Sequence, residues 1–392
     1  MNILFLNDSS FGKPDIISAF EKNNITIHPF YHEKLHDYLC KEFDDYFDTL
    51  VSSSDYSAVF SFNYFPSLSN GCMRNNLKYL SFVYDSPQVR LYSYTLINPC
   101  NYVFLFDKTD YLQFANAGIN TVYYLPLCAN ARRLSSITTS PAMKSIVTSD
   151  VSFVGSLYNE KHNFYDRMEN LDDYTRGYLT ALMNAQKKVN GYSFIEELLT
   201  PDILSSMKKA LLLPAQPGGA ESDSYLYAQY VVARKLTSIE REELLGAVSS
   251  KFNLKLYTHN PTPNLPHAQN MGAIDYYDAM PHVFKNSKIN LNITLRSIRS
   301  GIPLRAFDIM GCEGFLLTNF QEDYLDCFTP DEDFVYYDGI EDLLYKIDYY
   351  LSHDKERKEI ARNGFEKVLQ FHSFEHRVAE MLTISDLKEA LK

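Results

Sequence analysis

Short, continuous apolar runs alternate with helical stretches along this chain. This pattern constrains the possible folds most strongly, because it predicts an α/β fold. In the first third these runs have the length of strands and cover residues 3–6, 59–62, 79–84, 102–106 and 122–125. Strands that are apolar on both faces and separated by helices are typical of parallel sheets covered on two sides. The first third is therefore predicted to be an open parallel sheet.

The same pattern restarts after a Ser/Thr-rich segment, 131–149, which has little hydrophobic periodicity. The restart is a run at 151–155, and further strand-like runs lie at 254–257, 289–293, 315–318 and 334–337. A long helical region, about 158–251, separates the first of these runs from the rest. The second half is therefore predicted to be another α/β sheet with a helical insertion.

The predicted domain boundaries follow from these patterns. A chain of 392 residues is two to three times a typical domain of about 100–200 residues. We predict a first domain at 1–135, a linker at 136–150, a second domain at 151–370 with its insertion at about 158–251, and a closing helix at 371–392 that could pack back on the first domain. A helix break is predicted near Asn363-Gly364, and another helix is predicted to begin near Ser373.

Charge and hydropathy exclude several classes of function. The chain has 37 Lys and Arg against 49 Asp and Glu, a net charge of −12, so it has no basic excess for DNA, RNA or an anionic lipid surface. No run of about 18 apolar residues predicts a transmembrane segment, and the first residues do not resemble a signal peptide. A cytoplasmic protein is therefore expected. Its thiols are expected to be reduced, since the six cysteines lie far apart and form no C-x-x-C pair.

Polar residues follow several of the predicted strands, where open parallel sheets bind ligands. In the first half these are Asp8-Ser9-Ser10, Asn63, Asp85-Ser86-Pro87 and Asp107; in the second half they are Gly155-Ser156, His259 and the segment 299–305. A single polar residue at a strand end is common in any protein. Together they predict a polar cleft of mixed charge between two facing domains.

The segment 295–319 carries most of the predicted chemistry. Proline is favoured in the first turn of a helix, so Ser300-Gly301 followed by Pro303 predicts a helix that begins near Pro303. The free N–H groups and the positive dipole end of such a turn form a site for phosphate. Gly301 would allow a ligand to approach closely, and Gly314 is predicted to end the helix before the next strand.

Arg305 and Asp308 lie one turn apart on this predicted helix. The pair suits a nucleoside diphosphate, because the guanidinium can bind phosphates and the carboxylate can accept hydrogen bonds from the two ribose hydroxyls. The alternative is an ordinary ion pair within the helix, which contributes only about 0.2–0.5 kcal/mol. The neighbouring Gly301, Pro303 and Gly314 favour the ligand-binding interpretation.

These motifs resemble a known family. The stretch 300–318, Gly155 after its apolar strand, and the closing Asn363-Gly364 and His372-Ser373 resemble the carboxyl-terminal domain of GT-B glycosyltransferases, most closely the CgeB-like group of bacterial proteins related to a spore maturation protein. The first half resembles the uncharacterised amino-terminal domain often paired with it, through the motifs SFNYF (61–65), YDSPQ (84–88) and FDKTD (106–110).

The resemblance implies two Rossmann-like domains facing a central cleft, with a nucleotide sugar, expected to be a UDP-sugar, held mainly by the second. Asp308 stands where many relatives bind the ribose through an acidic residue. Retaining relatives have a Glu eight positions earlier, where this chain has Ser300, so a retaining mechanism of their type is in doubt. The implied acceptor is a hydroxyl of a protein or a glycan.

Glycosyl transfer requires stabilisation of the departing diphosphate, and an inverting reaction also requires a base. Arg305 and the start of the helix would stabilise the departing diphosphate. Asp85 is the preferred base, with a loop-capping role as the alternative. Asp8 is the second choice, with a helix-capping or turn role as its alternative. The further donor-binding candidates are Gly155, Ser156, Lys161, His259, Arg299, Ser300 and Gly301; Lys161 and Arg299 are also compatible with surface positions, and His259 with a turn.

No metal or cofactor is expected. The D-x-D pattern at Asp331 and Asp333 is interpreted as solvated surface, and the chain has no G-x-G-x-x-G after its first strand and no P-loop motif. Two other functions remain open, a sugar-nucleotide epimerase on the same fold and a non-catalytic coat or assembly protein. A homo-oligomer is also compatible with the sequence.

Overall fold

The computed structural model describes residues 1–160 and 163–387, and each of its two units is built on one six-stranded parallel sheet. The first unit comprises Met1–Cys128, Pro214–Glu221 and the residues from His372 onward. The second comprises Ala129–Leu213 and Ser222–Phe371. The prediction of two parallel α/β sheets is thereby confirmed.

The sheet of the first unit has the strand order β2-β1-β3-β4-β5-β6. Its strands are β1 (Asn2–Leu6), β2 (Thr26–Phe30), β3 (Ala58–Phe62), β4 (Lys78–Val83), β5 (Asn101–Leu105) and β6 (Val122–Tyr124). Its helices are α1 (Lys13–Lys22), α2 (Lys41–Ser52), α3 (Pro66–Arg74) and α4 (Lys108–Asn116). The strand order reverses between β1 and β3, which have their other neighbours on opposite sides.

Phenylalanine dominates the core of this unit. Phe5 and Phe60, on the adjacent strands β1 and β3, stack with ring centroids 5.3 Å apart. Phe43 and Phe47 lie one turn apart on α2, and both are fully buried. Each such ring contributes about 1.5–3 kcal/mol through burial, so the strands and the apolar stripe of α2 hold each other in place.

The sheet of the second unit has the order β12-β11-β10-β7-β8-β9. Its strands are β7 (Ser149–Val154), β8 (Leu254–Tyr257), β9 (Gln269–Asn270), β10 (Ser287–Asn292), β11 (Leu316–Asn319) and β12 (Val335–Tyr337). Counted within the unit this is the order 3-2-1-4-5-6 of the Rossmann fold, read from the other edge. The reversal lies between β7 and β10.

The helices of the second unit surround this sheet. They are α5 (Ala131–Ser136), α6 (Pro141–Val147), α7 (Asp173–Gln186), α8 (Pro201–Ala210), α9 (Asp223–Leu226), α10 (Ala233–Ser249), α11 (Met280–Asn286), α12 (Leu304–Gly311), α13 (Tyr324–Cys327), α14 (Gly339–Ser352) and α15 (Asp354–Phe371). A π-helical turn, Tyr227–Val232, joins α9 to α10.

The boundaries of the units differ from the predicted domains in two places. The segment 136–150, predicted as a linker, contains α6 and the start of β7 and belongs to the second unit, which begins at Ala129. Within the predicted insertion 158–251, the stretch Pro214–Glu221 belongs to the first unit. Its Gly218 carbonyl accepts a hydrogen bond from the Tyr38 hydroxyl at 2.8 Å, which the local sequence does not indicate.

The helix break predicted near Asn363-Gly364 is wrong, because α15 runs without interruption from Asp354 to Phe371. Gly364 is required for packing instead. A Cβ atom at this position would lie 2.4 Å from the carbonyl oxygen of Asp333. The glycine therefore lets α15 approach the backbone of the loop before β12 and does not end a helix.

Replacing Gly364 by alanine is expected to lower the free energy of unfolding by about 1–3 kcal/mol, since a backbone oxygen must move to admit the methyl group. Gly177 of α7 is the matched control, because a Cβ there meets nothing within 4 Å. Gly177→Ala should be neutral or stabilise by up to about 1 kcal/mol. Thermal unfolding of both variants measures the difference, and equal melting temperatures would contradict the packing role.

The closing helix α16 (Phe374–Ile384) belongs to the first unit. It begins at the predicted place, with Ser373 as its N-cap. Arg377 is buried and donates to the carbonyl of Pro126 at 2.6 Å, while Glu375 pairs with Lys22 of α1 at 2.6 Å. Within 1–160 and 163–387, no helix has the length and apolar character needed to cross a membrane.

Candidate functional site

The candidate site lies at the carboxyl ends of β7 and β10, where the strand order of the second sheet reverses. In open parallel sheets, ligands bind in the crevice that forms at this place. Gly155 and Ser156 follow β7, and Ile293 and Thr294 follow β10. We refer to these four residues as the switch-point loops.

Two buried asparagines hold the switch-point loops. The Oδ1 atom of Asn260, which follows β8, accepts from the N–H of Leu157 at 2.7 Å and from the hydroxyl of Ser156 at 3.0 Å. The Oδ1 atom of Asn319, at the end of β11, accepts from the N–H of Thr294 at 2.8 Å. The sequence did not indicate either residue as part of the site, although Asn319 ends an apolar strand and Asn260 lies shortly after one.

Glu160 lies beside Ser156, and its Oε1 atom accepts from the Ser156 hydroxyl at 3.2 Å. Burial raises the pKa of Glu160, but hydrogen bonds from its own N–H and from Asn260, together with the charge of Arg234, outweigh burial and leave the pKa below its ordinary value. His259 is exposed, with its Nε2 atom 3.8 Å from Oε1 of Glu160. Lys161, a predicted phosphate ligand, lies outside the described residues.

The segment that leads into α12 is anchored on residues after β11. Ser300 is buried, and its carbonyl accepts from the N–H of Asp323 at 3.1 Å. The buried Gly301 accepts from Nε2 of Gln321 at 3.4 Å, while Arg299 is half-buried. This segment is therefore fixed in front of the helix, as a phosphate-binding loop requires.

Helix α12 begins at Leu304 with Pro303 as its N-cap, which confirms the predicted helix start. No side chain caps this end, and residues 303–305 are only half-buried. The first-turn N–H groups and the positive end of the dipole therefore lie near the surface of the second unit. The helix ends through Glu313 in the left-handed conformation (φ 58°), and not through Gly314 as predicted.

Gly314 serves close packing. A Cβ atom there would lie 2.7 Å from Nδ2 of Asn290 and 2.9 Å from the carbonyl oxygen of Phe284. The glycine lets the chain pass tightly from α12 into β11, next to β10. The segment after α12 is thereby packed closely against α11 and β10.

Arg305 and Asp308 are brought together as the predicted pair. Asp308 is buried, and its Oδ2 atom lies 3.3 Å from Nη1 of Arg305. Its Oδ1 atom accepts from the hydroxyl of Tyr276 at 2.8 Å. Arg305 also contacts the sulfur of Met280, and its guanidinium lies 5.7 Å from the ring centroid of Phe284.

Tyr276 is a site residue that the sequence did not indicate. It lies in an irregular segment between β9 and α11, far from Asp308 in the chain. A carboxylate has about four lone-pair positions. Asp308 can therefore accept hydrogen bonds from several donors at once, Tyr276 and Arg305 among them.

A second polar feature lies on the α10 side of the same sheet edge. Arg296 donates to both carboxylate oxygens of Glu240, at 2.5 and 2.7 Å, and to the carbonyl of Val189 at 2.9 Å. A pocket of about 210 Å³ opens here, lined by Lys187, Glu243, Leu244, Ile293, Asn319 and Tyr337 among others. Because its charged side chains are paired, the pocket is polar but has little local net charge.

The two candidate bases lie in the first unit. The Oδ2 atom of Asp85, after β4, accepts from Nδ2 of Asn63 at 2.8 Å, and Oδ1 of Asn63 accepts from the N–H of Asp85 at 3.0 Å. Asp85 is exposed, yet desolvation by the surrounding protein raises its pKa, and the charge of Asp8 adds to this rise. The Asn63 hydrogen bond acts in the opposite direction.

Asp8, after β1, forms a turn, which is the role predicted as the alternative to that of a catalytic base. Its carboxylate accepts from the N–H of Ser10 at 3.0 Å and from the Ser10 hydroxyl at 2.9 Å. His36 and Arg90 also lie at this edge and were not predicted; Nη2 of Arg90 is 3.0 Å from Nδ1 of His36. Burial and the charge of Arg90 lower the pKa of His36, against the charge of Asp8.

The structure corrects the interpretation of the D-x-D pattern as solvated surface at Asp333. Asp333, predicted to be solvated, is buried and pairs with Lys367 at 2.6 Å. Its carboxylate also accepts from the N–H of Thr329 at 2.6 Å. Across residues 1–160 and 163–387, no group of three or more His, Cys, Asp or Glu side chains is arranged to hold a metal ion.

Several solved structures have the same architecture as this chain. The chain aligns over 100% of its length with 100% of sucrose-phosphate synthase from Thermosynechococcus elongatus (TM-score 0.56, 12% identity). It aligns over 98% with 100% of Anabaena HepE in complex with UDP-glucose (TM-score 0.55, 11% identity). A glycosyltransferase from Rickettsia africae ESF-5 aligns over 99% of this chain and 98% of its own (TM-score 0.53, 11% identity).

These likenesses, with the two parallel sheets, define the GT-B fold of two Rossmann-like domains. In sequence, residues 236–383 match the family model described as glycosyl transferase-like. This match runs from α10 to α16 and includes β10, α12 and the Arg305–Asp308 pair. Among curated proteins, none is significantly similar in sequence to this chain.

Proposed function

We propose that this chain is a glycosyltransferase that transfers a sugar from a UDP-sugar to a hydroxyl of a protein or a glycan. One observation carries the proposal: the uncapped start of α12 lies next to the Arg305–Asp308 pair, inside the segment that matches glycosyl transferase-like proteins. In this proposal the first-turn N–H groups and Arg305 bind the diphosphate, and Asp308 binds the ribose.

The choice of UDP is supported by Anabaena HepE, whose structure with UDP-glucose has a similar fold over the full chain. The remaining donor contacts are assigned to the described loops around α12 and β7. They comprise Gly155, Ser156, His259, Arg299, Ser300 and Gly301, and Lys161 is included from the sequence. Because N–H groups and Arg305 can compensate the diphosphate charge, we propose that no metal ion is required.

Calorimetry with UDP and UDP-glucose is the first test, and we expect saturable binding that EDTA does not change. Incubation with isotope-labelled UDP-sugars, with and without glycan acceptors, then separates the possible activities by mass spectrometry. Transfer to an acceptor, or slow release of free sugar and UDP in its absence, is the expected result. An epimerised nucleotide sugar would indicate an epimerase, and no binding of UDP or any other nucleotide would indicate an assembly protein.

A further inference from the structure

Arg241, on α10, is a buried arginine at the reversal of the second sheet. Only 7% of the residue is exposed. Its Nη1 atom donates to the carbonyl of Ser156, and its Nη2 atom donates to the carbonyl of Ile293 at 2.5 Å. One guanidinium thus bridges the two switch-point loops, after β7 and after β10.

Among the described residues, no carboxylate forms an ion pair with Arg241. Its guanidinium donates to two backbone carbonyls and lies over the rings of Phe153 and Tyr158 at 5.3 and 4.9 Å, and its Nε atom has no hydrogen-bond partner. Desolvation lowers the pKa of Arg241, although the side chain of Tyr158 and the charge of Glu240 act in the opposite direction. A buried cation of this kind is costly to keep in the absence of an anion.

The neighbouring carboxylates are already paired. Glu240, next to Arg241 in the chain, is held by both guanidinium nitrogens of Arg296. Glu160 lies 3.9 Å from Arg234 and 3.8 Å from His259. In the part of the chain that the structure describes, these three arginines and Lys187 therefore stand against these two glutamates and Glu243, which leaves one net positive charge even when His259 is neutral.

Gly155 brings the backbone of its loop close to the guanidinium. A Cβ atom at Gly155 would lie 3.3 Å from the ring of Phe153 and 3.8 Å from Nη1 of Arg241, and Gly155 itself is half-buried. A phosphate that rests on the backbone of Gly155 would therefore lie close to the charge, beside the Phe153 ring. At such distances in a partly desolvated site, a fixed cation interacts strongly with phosphate.

We propose that Arg241 is the fixed positive charge beneath the diphosphate of the bound nucleotide, acting as a positioning residue through the Gly155–Ser156 loop. This inference rests on the proposed function. Arg241 attracts the phosphates electrostatically and holds the two loops in register, while the N–H groups of α12 and Arg305 contact the phosphates directly. Its effect should therefore depend on the charge of the ligand and not on the base or the ribose.

The test compares UDP with uridine, which lacks phosphate, in Arg241→Met and Arg241→Lys. We expect Arg241→Met to bind UDP at least tenfold more weakly, and uridine within twofold of the unmodified protein. Arg241→Lys should bind UDP within about fivefold of the unmodified protein, because lysine retains the charge. Calorimetry measures the affinity for UDP, and NMR titration measures the affinity for uridine.

Arg357→Met is the matched control, since Arg357 is equally buried but pairs with Asp354 and should leave both affinities unchanged. Equal weakening of UDP and uridine in Arg241→Met, or no weakening of UDP, overturns the inference. If Arg241→Met does not fold, Glu240→Gln is the deciding variant. Removing one negative charge should strengthen UDP binding at least threefold and leave the affinity for uridine unchanged. An unchanged UDP affinity in Glu240→Gln overturns the inference. An unmodified protein that binds no UDP contradicts the proposed function itself.

Discussion

Replacing Asp308 by asparagine should weaken UDP binding by about 100-fold or more. In the proposed complex, the Asp308 carboxylate accepts hydrogen bonds from the two ribose hydroxyls. Hydrogen bonds to a charged group contribute about 1.5–3 kcal/mol each, and 1.4 kcal/mol is a factor of ten in affinity. Asparagine keeps the shape and one acceptor oxygen, so the Tyr276 hydroxyl can retain its partner at this position.

A ligand without the 2′-hydroxyl distinguishes ribose binding from a general loss of structure. The unmodified protein should bind 2′-deoxy-UDP about tenfold more weakly than UDP. Asp308→Asn should bind the two ligands with nearly equal affinity, because the group that distinguishes them is gone. Tyr276→Phe, which removes only the supporting hydrogen bond, should show a smaller loss of about tenfold. If Asp308→Asn keeps the full preference for UDP, Asp308 belongs only to the ion pair with Arg305.

The two sheets could be predicted because their central strands are buried on both faces. β3 is buried at every residue, and β4 at all but its first. Such strands appear in the sequence as continuous apolar runs, a pattern that surface loops do not have. For these elements, local sequence and tertiary environment indicate the same structure.

Two of the four edge strands, β2 and β9, could not be predicted, because they are little buried. β2 contains His28 and Pro29, and only its last residue is buried. A proline is tolerated there because an edge strand has one side without ladder hydrogen bonds. β9 has two residues, both exposed. Neither strand carries an apolar pattern, so its place is set by pairing with β1 or β8.

The candidate site was predictable only where its residues are close in the chain. Pro303, Arg305 and Asp308 lie within six consecutive residues at the start of one helix, so the sequence places them together. Tyr276 and Asn260 reach this region from other loops, and Arg241 reaches it from α10. Contacts between distant segments leave no local periodicity, and for that reason these three residues emerged only from the structure.

Replacing Asp85 by asparagine should lower the rate of sugar transfer by about 10²–10⁴-fold, the usual contribution of a general base. Binding of UDP should stay unchanged, because Asp85 belongs to the first unit and the proposed nucleotide contacts belong to the second. The Asn63 amide can still donate to the oxygen of asparagine at this position. Steady-state rates and calorimetry on the same preparations separate the two effects.

The raised pKa of Asp85 makes this prediction testable through pH. A base acts when deprotonated, so the rate should rise as pH increases through the pKa of Asp85, which desolvation and Asp8 hold above the ordinary value. A carboxyl whose pKa is higher in the folded state disfavours folding once it is ionised. Asp85→Asn should therefore be at least as stable as the unmodified protein at neutral pH, and a loss of activity cannot then be assigned to unfolding.

Asp8→Asn is the comparison that decides between the two carboxylates. Asparagine can still accept from the N–H of Ser10, so the turn after β1 should persist and the rate should fall by less than about tenfold. Removing the negative charge of Asp8 should also lower the pKa of Asp85 and shift the pH profile of the rate toward lower pH. If Asp8→Asn abolishes transfer while Asp85→Asn does not, the base is Asp8. A profile that does not move in Asp8→Asn would show that the titrating group is neither carboxylate.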